Sequence, residues 1–227
     1  MRVECLKRKI NDKLYDSITL NKSYIVLSIE VYDMKNSNFA QSVGNHILYR
    51  IENDNGSVVP YPSALFQVKS GKLSKGWAAI QSHECFQLIP ESWTIDGFWE
   101  KYYNDDNKTL ELYKKEKQSI FLEELTTNEI INIIMRNEDS MDKETILYAL
   151  INHKDERFID TILEYSRKSL QNDIHYYSSI EVSHSLVLAF IYLSKFNSSK
   201  VEDYFIEYLS EPALKKQLTD IVNSYFT

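Results

Sequence analysis

His83-Glu84-Cys85 sets three possible metal ligands in a row. A metal site needs three or four ligands whose spacing lets them converge, and no second Cys/His pair accompanies this one. On a strand His83 and Cys85 would share a face, so packing is the simpler use. His153, His175 and His184 fall on helices or helix ends with no acid at a consistent i+4 spacing. Asp105-Asp106 sits in a polar linker with no phosphate loop beside it. GxSxG, HExxH, P-loop and GxGxxG patterns do not occur. With only 5 glycines, a phosphate-cradling loop would be hard to build. Trp77, Trp93, Phe98, Trp99, Tyr102 and Tyr103 could stack on bases or sugars. No basic stripe runs beside them, so they read as a core and its lid. The residues imply no cofactor, no metal and no active site, and a non-enzyme is expected.

The acids differ in kind. Glu138, Asp139, Asp142 and Glu144 fall in one interhelical loop and helix start, and Asp155, Glu156 and Asp160 in the next. Acids at helix N-termini favour the helix dipole, and a solvated face accounts for the rest. Asp160 and Glu164 form a like-charge i, i+4 pair, mildly unfavourable in itself. The alternative is a docking face for a cationic partner. Charge distribution bears on this choice. Residues 1–108 hold 13 Lys/Arg and 13 Asp/Glu, whereas residues 109–227 hold 13 and 20, so the whole net charge of −7 lies in the second half. An acidic surface repels phosphate backbones and attracts basic partners, which argues against direct nucleic-acid binding.

The elements that must position these residues change character along the chain. Tyr24-Ile-Val-Leu-Ser-Ile-Glu-Val-Tyr32 is rich in β-branched and aromatic residues and predicts a strand. Its start, Tyr24 to Leu27, is apolar on both faces, as a central strand requires. Residues 1–10 allow a first strand with Val3 and Cys5 on one side, and Asp33 to Gly44 reads as a long polar hairpin loop. His46–Glu52 alternates as a strand, Asn53-Asp-Asn-Gly56 predicts a hairpin turn, and Pro60 and Pro62 put the returning strand at an edge. Ser63–Lys69 suits a strand or one helical turn. Trp77–Ile80 and Cys85–Ile89 read as strands, Pro90–Trp93 as a turn, and Gly97–Tyr103 as a short closing helix.

From Asn104-Asp-Asp-Asn107 the hydrophobic period changes from two to 3.6. Leu110, Tyr113, Lys117, Ile120 and Phe121 line a helix. Thr126-Thr-Asn-Glu129, Ser178–Glu181 and Ser199–Glu202 have capping-box spacing. Asp142 and Asp155 are expected to cap two helices, and Ser210-Glu-Pro212 to start the last. Val201, Tyr204, Phe205, Tyr208 and Leu209 form an amphipathic stripe. The fold class is therefore α+β: a small antiparallel, barrel-like sheet domain over 1–104, then an all-α domain of helical hairpins over 109–227. A HEAT-like solenoid is one arrangement of those hairpins, although no strict repeat is visible.

Composition sets outer bounds. The 43% hydrophobic fraction, with 16 Tyr, 10 Phe and 3 Trp, supplies a core, and scarce Gly and Pro argue against disorder. The N-terminus lacks an apolar signal core and no run of about 18 apolar residues occurs, so a cytoplasmic protein without membrane contact is expected. Cys5 and Cys85 are expected to be reduced thiols.

The order Leu14–Ile29, Tyr49–Pro62, Leu65-Phe-Gln-Val68, Gly76-Trp77, Leu88–Trp93 and Gly97–Tyr103 resembles the β-rich region of immunity proteins from bacterial polymorphic-toxin and contact-dependent growth-inhibition systems. It covers roughly residues 12–104, and its motifs are structural aromatics and turns. The resemblance implies a cytoplasmic binder that occludes one cognate toxin domain. Many such toxins are nucleases with basic clefts, for which an acidic inhibitor mimics the substrate's charge. The expected contact comprises Glu138, Asp139, Asp142, Glu144, Asp155, Glu156 and Asp160, with Tyr165, Tyr176 and Tyr177 as candidate anchors. A non-enzymatic adaptor with a helical-repeat surface is the alternative.

Overall fold

A computed structural model of the chain describes residues 1–33, 46–81, 85–136, 139–172, 182–211 and 214–227. The protein is α+β. It divides into two compact units, Met1–Glu124 and Leu125–Thr227.

The first unit is built on an antiparallel sheet. Its strands are β1 (Arg2–Cys5), β4 (Ser23–Tyr32), β5 (Ile47–Glu52), β6 (Val58–Pro62), β7 (Phe66–Ser70), β8 (Trp77–Gln81) and β9 (Cys85–Pro90), with β2 (Lys9–Ile10) and β3 (Lys13–Leu14) as a separate ribbon. The ten-residue β4 is the centre. It pairs with β5 along one side, and on the other with β1 near its start and β9 near its end. The sheet therefore forks, and its main path ends at β6 and β7. Pro60 and Pro62 lie in β6, where missing N–H donors cost nothing at an edge. The Asn53–Ser57 connection closes with the Asn53 N–H donating to the Ser57 carbonyl at 2.9 Å. Only Gly56 in it has a positive φ, 77°.

A register shift between Val26 and Ser28 decides what each face carries. An inserted residue reverses the alternation beyond it. Tyr24 and Val26, and then Ile29, face a core with Val3, Cys5, Ile51, Tyr61 and Phe66. Leu27 faces a second core of Val58, Ile89, Trp93, Phe98, Tyr113 and Ile120. Two helices supply that second core, α1 (Phe98–Tyr103) and α2 (Asn107–Glu124). Lys117 and Tyr113 of α2 both bind the Glu52 carboxylate of β5. These ties place α2 with the sheet, and the division falls after Glu124, later than the change of hydrophobic period at 104–109. Trp93 is fully buried, while Trp77 and Trp99 pack partly buried against the two cores.

One prediction concerns the loop that leads into β4. Asp54 accepts from the Thr19 hydroxyl (2.8 Å), Lys22 ammonium (2.6 Å) and Tyr24 hydroxyl (2.8 Å). Burial works to raise its pKa, but these three donors outweigh it and hold the carboxyl below its ordinary value. A depressed folded-state pKa contributes stability above the unfolded value, about 3.9, that is lost as pH falls through the folded value. The Asp54→Asn variant should therefore lose less stability than the parent below about pH 4. Urea midpoints at pH 3 and pH 6 measure this. A parallel decline in both proteins would exclude Asp54 as a contributor.

The second unit contains α3 (Thr127–Ile134), α4 (Met141–His153), α5 (Ile159–Asn172), α6 (His184–Leu193), α7 (Ser199–Leu209) and α8 (Lys216–Tyr225). The capping box at Thr126 and Glu129 is formed in both directions. Other starts differ from the sequence reading. Ser140 caps α4 and Asp142 lies in its first turn. Ser198 precedes α7, and α8 begins at Lys216, beyond Ser210-Glu211. The Ser178–Glu181 box lies outside the described residues, and Ser183 caps α6. Asp155 does cap, through a short 3-10 turn over Glu156–Phe158 that leads into α5.

Packing follows a rule. Helices contact their second neighbours: α3 with α5, α4 with α6, α5 with α7, and α6 with α8. Sequential contacts join α3 to α4 and α5 to α6. That is how stacked helical hairpins of an α-solenoid pack. The centre is α6, where Leu186, Val187, Leu188, Ala189, Phe190, Tyr192 and Leu193 are all buried. A helix apolar on every side must be enclosed on every side. Phe190 meets Tyr204, Phe205 and Tyr208 of the α7 stripe at ring distances of 5.7, 5.7 and 5.1 Å.

Candidate partner-binding face

The outward stripe of α4 repeats at helical spacing. Met141, Thr145 and Tyr148 lie opposite the buried Lys143, Ile146, Leu147 and Leu150. Met141 is 57% exposed and Tyr148 39%. Asp142 and Glu144 occupy the first turn, where the helix dipole favours negative charge. Packing of α4 on α6 brings His184, the first residue of α6, against this stripe, with Nε2 2.9 Å from the Tyr148 hydroxyl. An exposed methionine and an aromatic ring bordered by acids can bury apolar area against a partner while meeting its cations.

The two acidic segments are not neighbours on one face. Asp139, Asp142 and Glu144 stand at the start of α4, and Asp155, Glu156 and Asp160 follow its end. Its 13 residues separate the groups by about 20 Å along the axis. Several of these acids are also engaged within the unit. Arg157 clasps Asp155 through Nε (2.9 Å) and Nη2 (2.6 Å), and that hydrogen-bonded pair holds the carboxyl below the ordinary aspartate value. Asp160 pairs with Lys200 at 2.7 Å. Asp139 lies 4.0 Å from the ammonium of Lys143. Asp142, Glu144 and Glu156 have no ion pair among the described residues. Glu138 lies outside those residues, as do Tyr176 and Tyr177. Tyr165 is not an exposed anchor: it is 5% exposed and packs inward from α5.

Met141, Tyr148 and His184, which complete this candidate face, are not among the residues expected from the sequence. The signal was present for two of them, because Met141 and Tyr148 fall at i and i+7 on the side of α4 away from Ile146, Leu147 and Leu150. His184 reaches the face only through the packing of α6 on α4, which no spacing encodes.

Charged groups also concentrate inside the first unit. Glu30 and Arg50 are 2% and 7% exposed. Arg50 donates to Glu30 from Nε (2.9 Å) and Nη2 (2.7 Å), and from Nη1 to the Tyr103 hydroxyl (2.8 Å). Its guanidinium lies over the Trp99 ring, 4.0 Å from the centroid. Tyr32 donates to the other Glu30 oxygen at 3.0 Å. The Glu30 carboxylate and the Arg50 guanidinium are thus hydrogen-bonded, and the arrangement joins α1 to the sheet. His83 and Glu84 lie outside the described residues. Cys5 and Cys85 are free and buried, and burial pushes both thiols up, away from reactivity. Among the described residues no group of three or more His, Cys, Asp or Glu is placed to hold a metal ion, and no helix is long and apolar enough to cross a membrane.

Compared with family models, curated proteins and solved structures, the chain matches none.

Proposed function

We propose that this protein is a non-enzymatic inhibitor that occludes a basic protein domain, in the manner of the immunity proteins that residues 12–104 resemble. The toxin domain it neutralises would act in the cytoplasm, and the inhibitor would meet it there. The observation that carries this reading is the start of α4. Met141 and Tyr148 stand exposed beside Asp142 and Glu144, on a unit holding 10 Lys/Arg and 16 Asp/Glu. Met141 and Tyr148 are the anchors that set the dissociation rate. Asp142 and Glu144 form a charged rim that speeds encounter, and Glu156 at the far end adds to the field. Asp139, Asp155 and Asp160 contribute charge at long range while engaged with Lys143, Arg157 and Lys200.

The experiment screens basic toxin domains, any encoded in the neighbouring genes first, by stopped-flow association and by survival of cells expressing the toxin. Reversing Asp142 and Glu144 to lysine should slow association by about ten-fold or more at low salt and much less in 1 M salt, where the Debye length is only about 3 Å. Tyr148→Ala should leave association nearly unchanged and speed dissociation by about ten-fold or more. Circular dichroism is the folding control. Unchanged rates in both variants, with survival intact, would move the contact away from α4. Failure of the parent protein to bind or protect would favour the adaptor reading, in which the same helical surface serves a different protein.

A further inference from the structure

Lys143 is the least expected side chain in the second unit. It is fully buried, yet it belongs to the first turn of α4, among acids. Its ammonium donates to the carbonyl of Arg136 at 2.5 Å. Arg136 lies just past Met135, the C-terminal cap of α3, so the lysine holds the backbone where the chain leaves that helix. The aliphatic stem enters the unit, and the ammonium stands 4.7 Å from the centre of the Tyr165 ring on α5. Asp139 supplies a carboxylate at 4.0 Å, and the Lys143 backbone N–H donates to the Ser140 side chain that caps α4. One residue thus contacts the end of α3, the start of α4, the loop between them and the face of α5.

We infer that Lys143, with Asp139 as its counter-ion, is an internal clamp that ties Arg136, just past the end of α3, to the start of α4 and so presents that start preformed. The inference rests on the partner-face reading above and gives one residue in it a second role: Asp139 positions the face and does not touch the partner. Two physical reasons support the division of roles. A buried ammonium needs a fixed acceptor and a nearby negative charge, and a partner cation that drew Asp139 away would leave Lys143 uncompensated. A surface ordered before encounter also loses less conformational entropy on binding. The groups shown against the ammonium are the Arg136 carbonyl, Asp139 and the Tyr165 ring. Burial works to lower the lysine's pKa and Arg136 adds to this, while Asp139 opposes both.

Amide hydrogen exchange on the free protein tests the clamp without any partner. In Lys143→Met, which keeps an apolar stem, the hydrogen-bonded amides of Arg136, residue 143 and Glu144 should exchange at least ten-fold faster, with those of Leu147 to Ile151 unchanged. Asp139→Asn should give a smaller acceleration at the same amides, and Asp139→Glu should restore the parental rate. If Lys143→Met does not fold, the Asp139 pair decides. Parental exchange at Arg136 and Glu144 in the methionine variant, or in Asp139→Asn where the methionine variant does not fold, would overturn the clamp. Acceleration spread evenly over the whole unit would overturn it too, since that is what a merely structural lysine gives. Faster local exchange with full toxin neutralisation would support the clamp and count against the start of α4 as the partner face.

Discussion

Replacing Arg50 with alanine is expected to destabilise the first unit by about 3–5 kcal/mol, the usual cost of breaking a buried ion pair from one side. Three losses combine. Glu30, 2% exposed, would lose both guanidinium N–H groups from its Oε1. Trp99 would lose the cation on its face, and the Tyr103 hydroxyl would lose a donor while still bonding to the Val58 carbonyl. The cost comes mainly from the stranded carboxylate, because charge–charge attraction in the intact pair is largely offset by desolvation. The double variant Glu30→Leu, Arg50→Met should therefore lie much closer to the parent than Arg50→Ala does. The measurement is convenient, since Trp77, Trp93 and Trp99 all belong to the unit Met1–Glu124. Tryptophan fluorescence during urea unfolding follows that unit. A loss below about 1 kcal/mol for Arg50→Ala would mean that water reaches Glu30 readily and that the pair behaves as a surface one.

Trp93→Ala should cost a similar amount, about 3–5 kcal/mol. Trp93 is 1% exposed and joins three elements. Its ring stacks on Phe98 of α1 at 5.2 Å and on Tyr113 of α2 at 5.4 Å, and meets the Trp99 ring edge-on at 5.5 Å. The indole N–H donates to the Leu112 carbonyl at 3.3 Å. Alanine would leave a cavity between two helices and the sheet. Trp93→Phe should lose roughly half as much, because it retains stacking but not the donor or the full volume. Trp77, only partly buried beside the other core, should cost less than Trp93 when truncated. Tyrosine-weighted fluorescence and circular dichroism can follow the fold as these indoles are removed. Equal small losses at Trp93 and Trp77 would show that the second core can collapse around a missing ring.

Much of the fold could be read directly from residue types. The run Tyr24–Tyr32 declared a central strand because it is apolar on both faces at its start, and β4 is that strand. Pro60 and Pro62 placed β6 at an edge through the missing donors. The stripe Val201, Tyr204, Phe205, Tyr208 named the buried side of α7, and Thr126 with Glu129 marked the start of α3. Each of these signals is local: periodicity, a cap, a ring that removes an N–H. Where a signal needed one more piece of context it failed by a few residues, as when Ser140 took the cap assigned to Asp142 and α8 began beyond Ser210.

Other features depended on contacts distant in sequence. No local signal in Ser28-Ile29-Glu30-Val31 marks Glu30 as buried, yet the bulge after Val26 and the cover provided by α1 bury it against Arg50. Helix α2 carries the helical period of the chain's second half, but Lys117 and Tyr113 bind Glu52 and draw it into the sheet unit. Lys143 reads as one more surface charge until the end of α3 and the ring of Tyr165 enclose it. The acids around α4 look like one cluster in sequence because they are close in number. A rigid helix keeps their two groups about 20 Å apart, and the packing of α4 on α6 instead sets His184 beside Tyr148. Local chemistry decided which residues could be buried, capped or turned. Tertiary packing decided which charges are internal struts and which remain available to a partner, because burial and pairing belong to neighbours that the chain brings together only on folding.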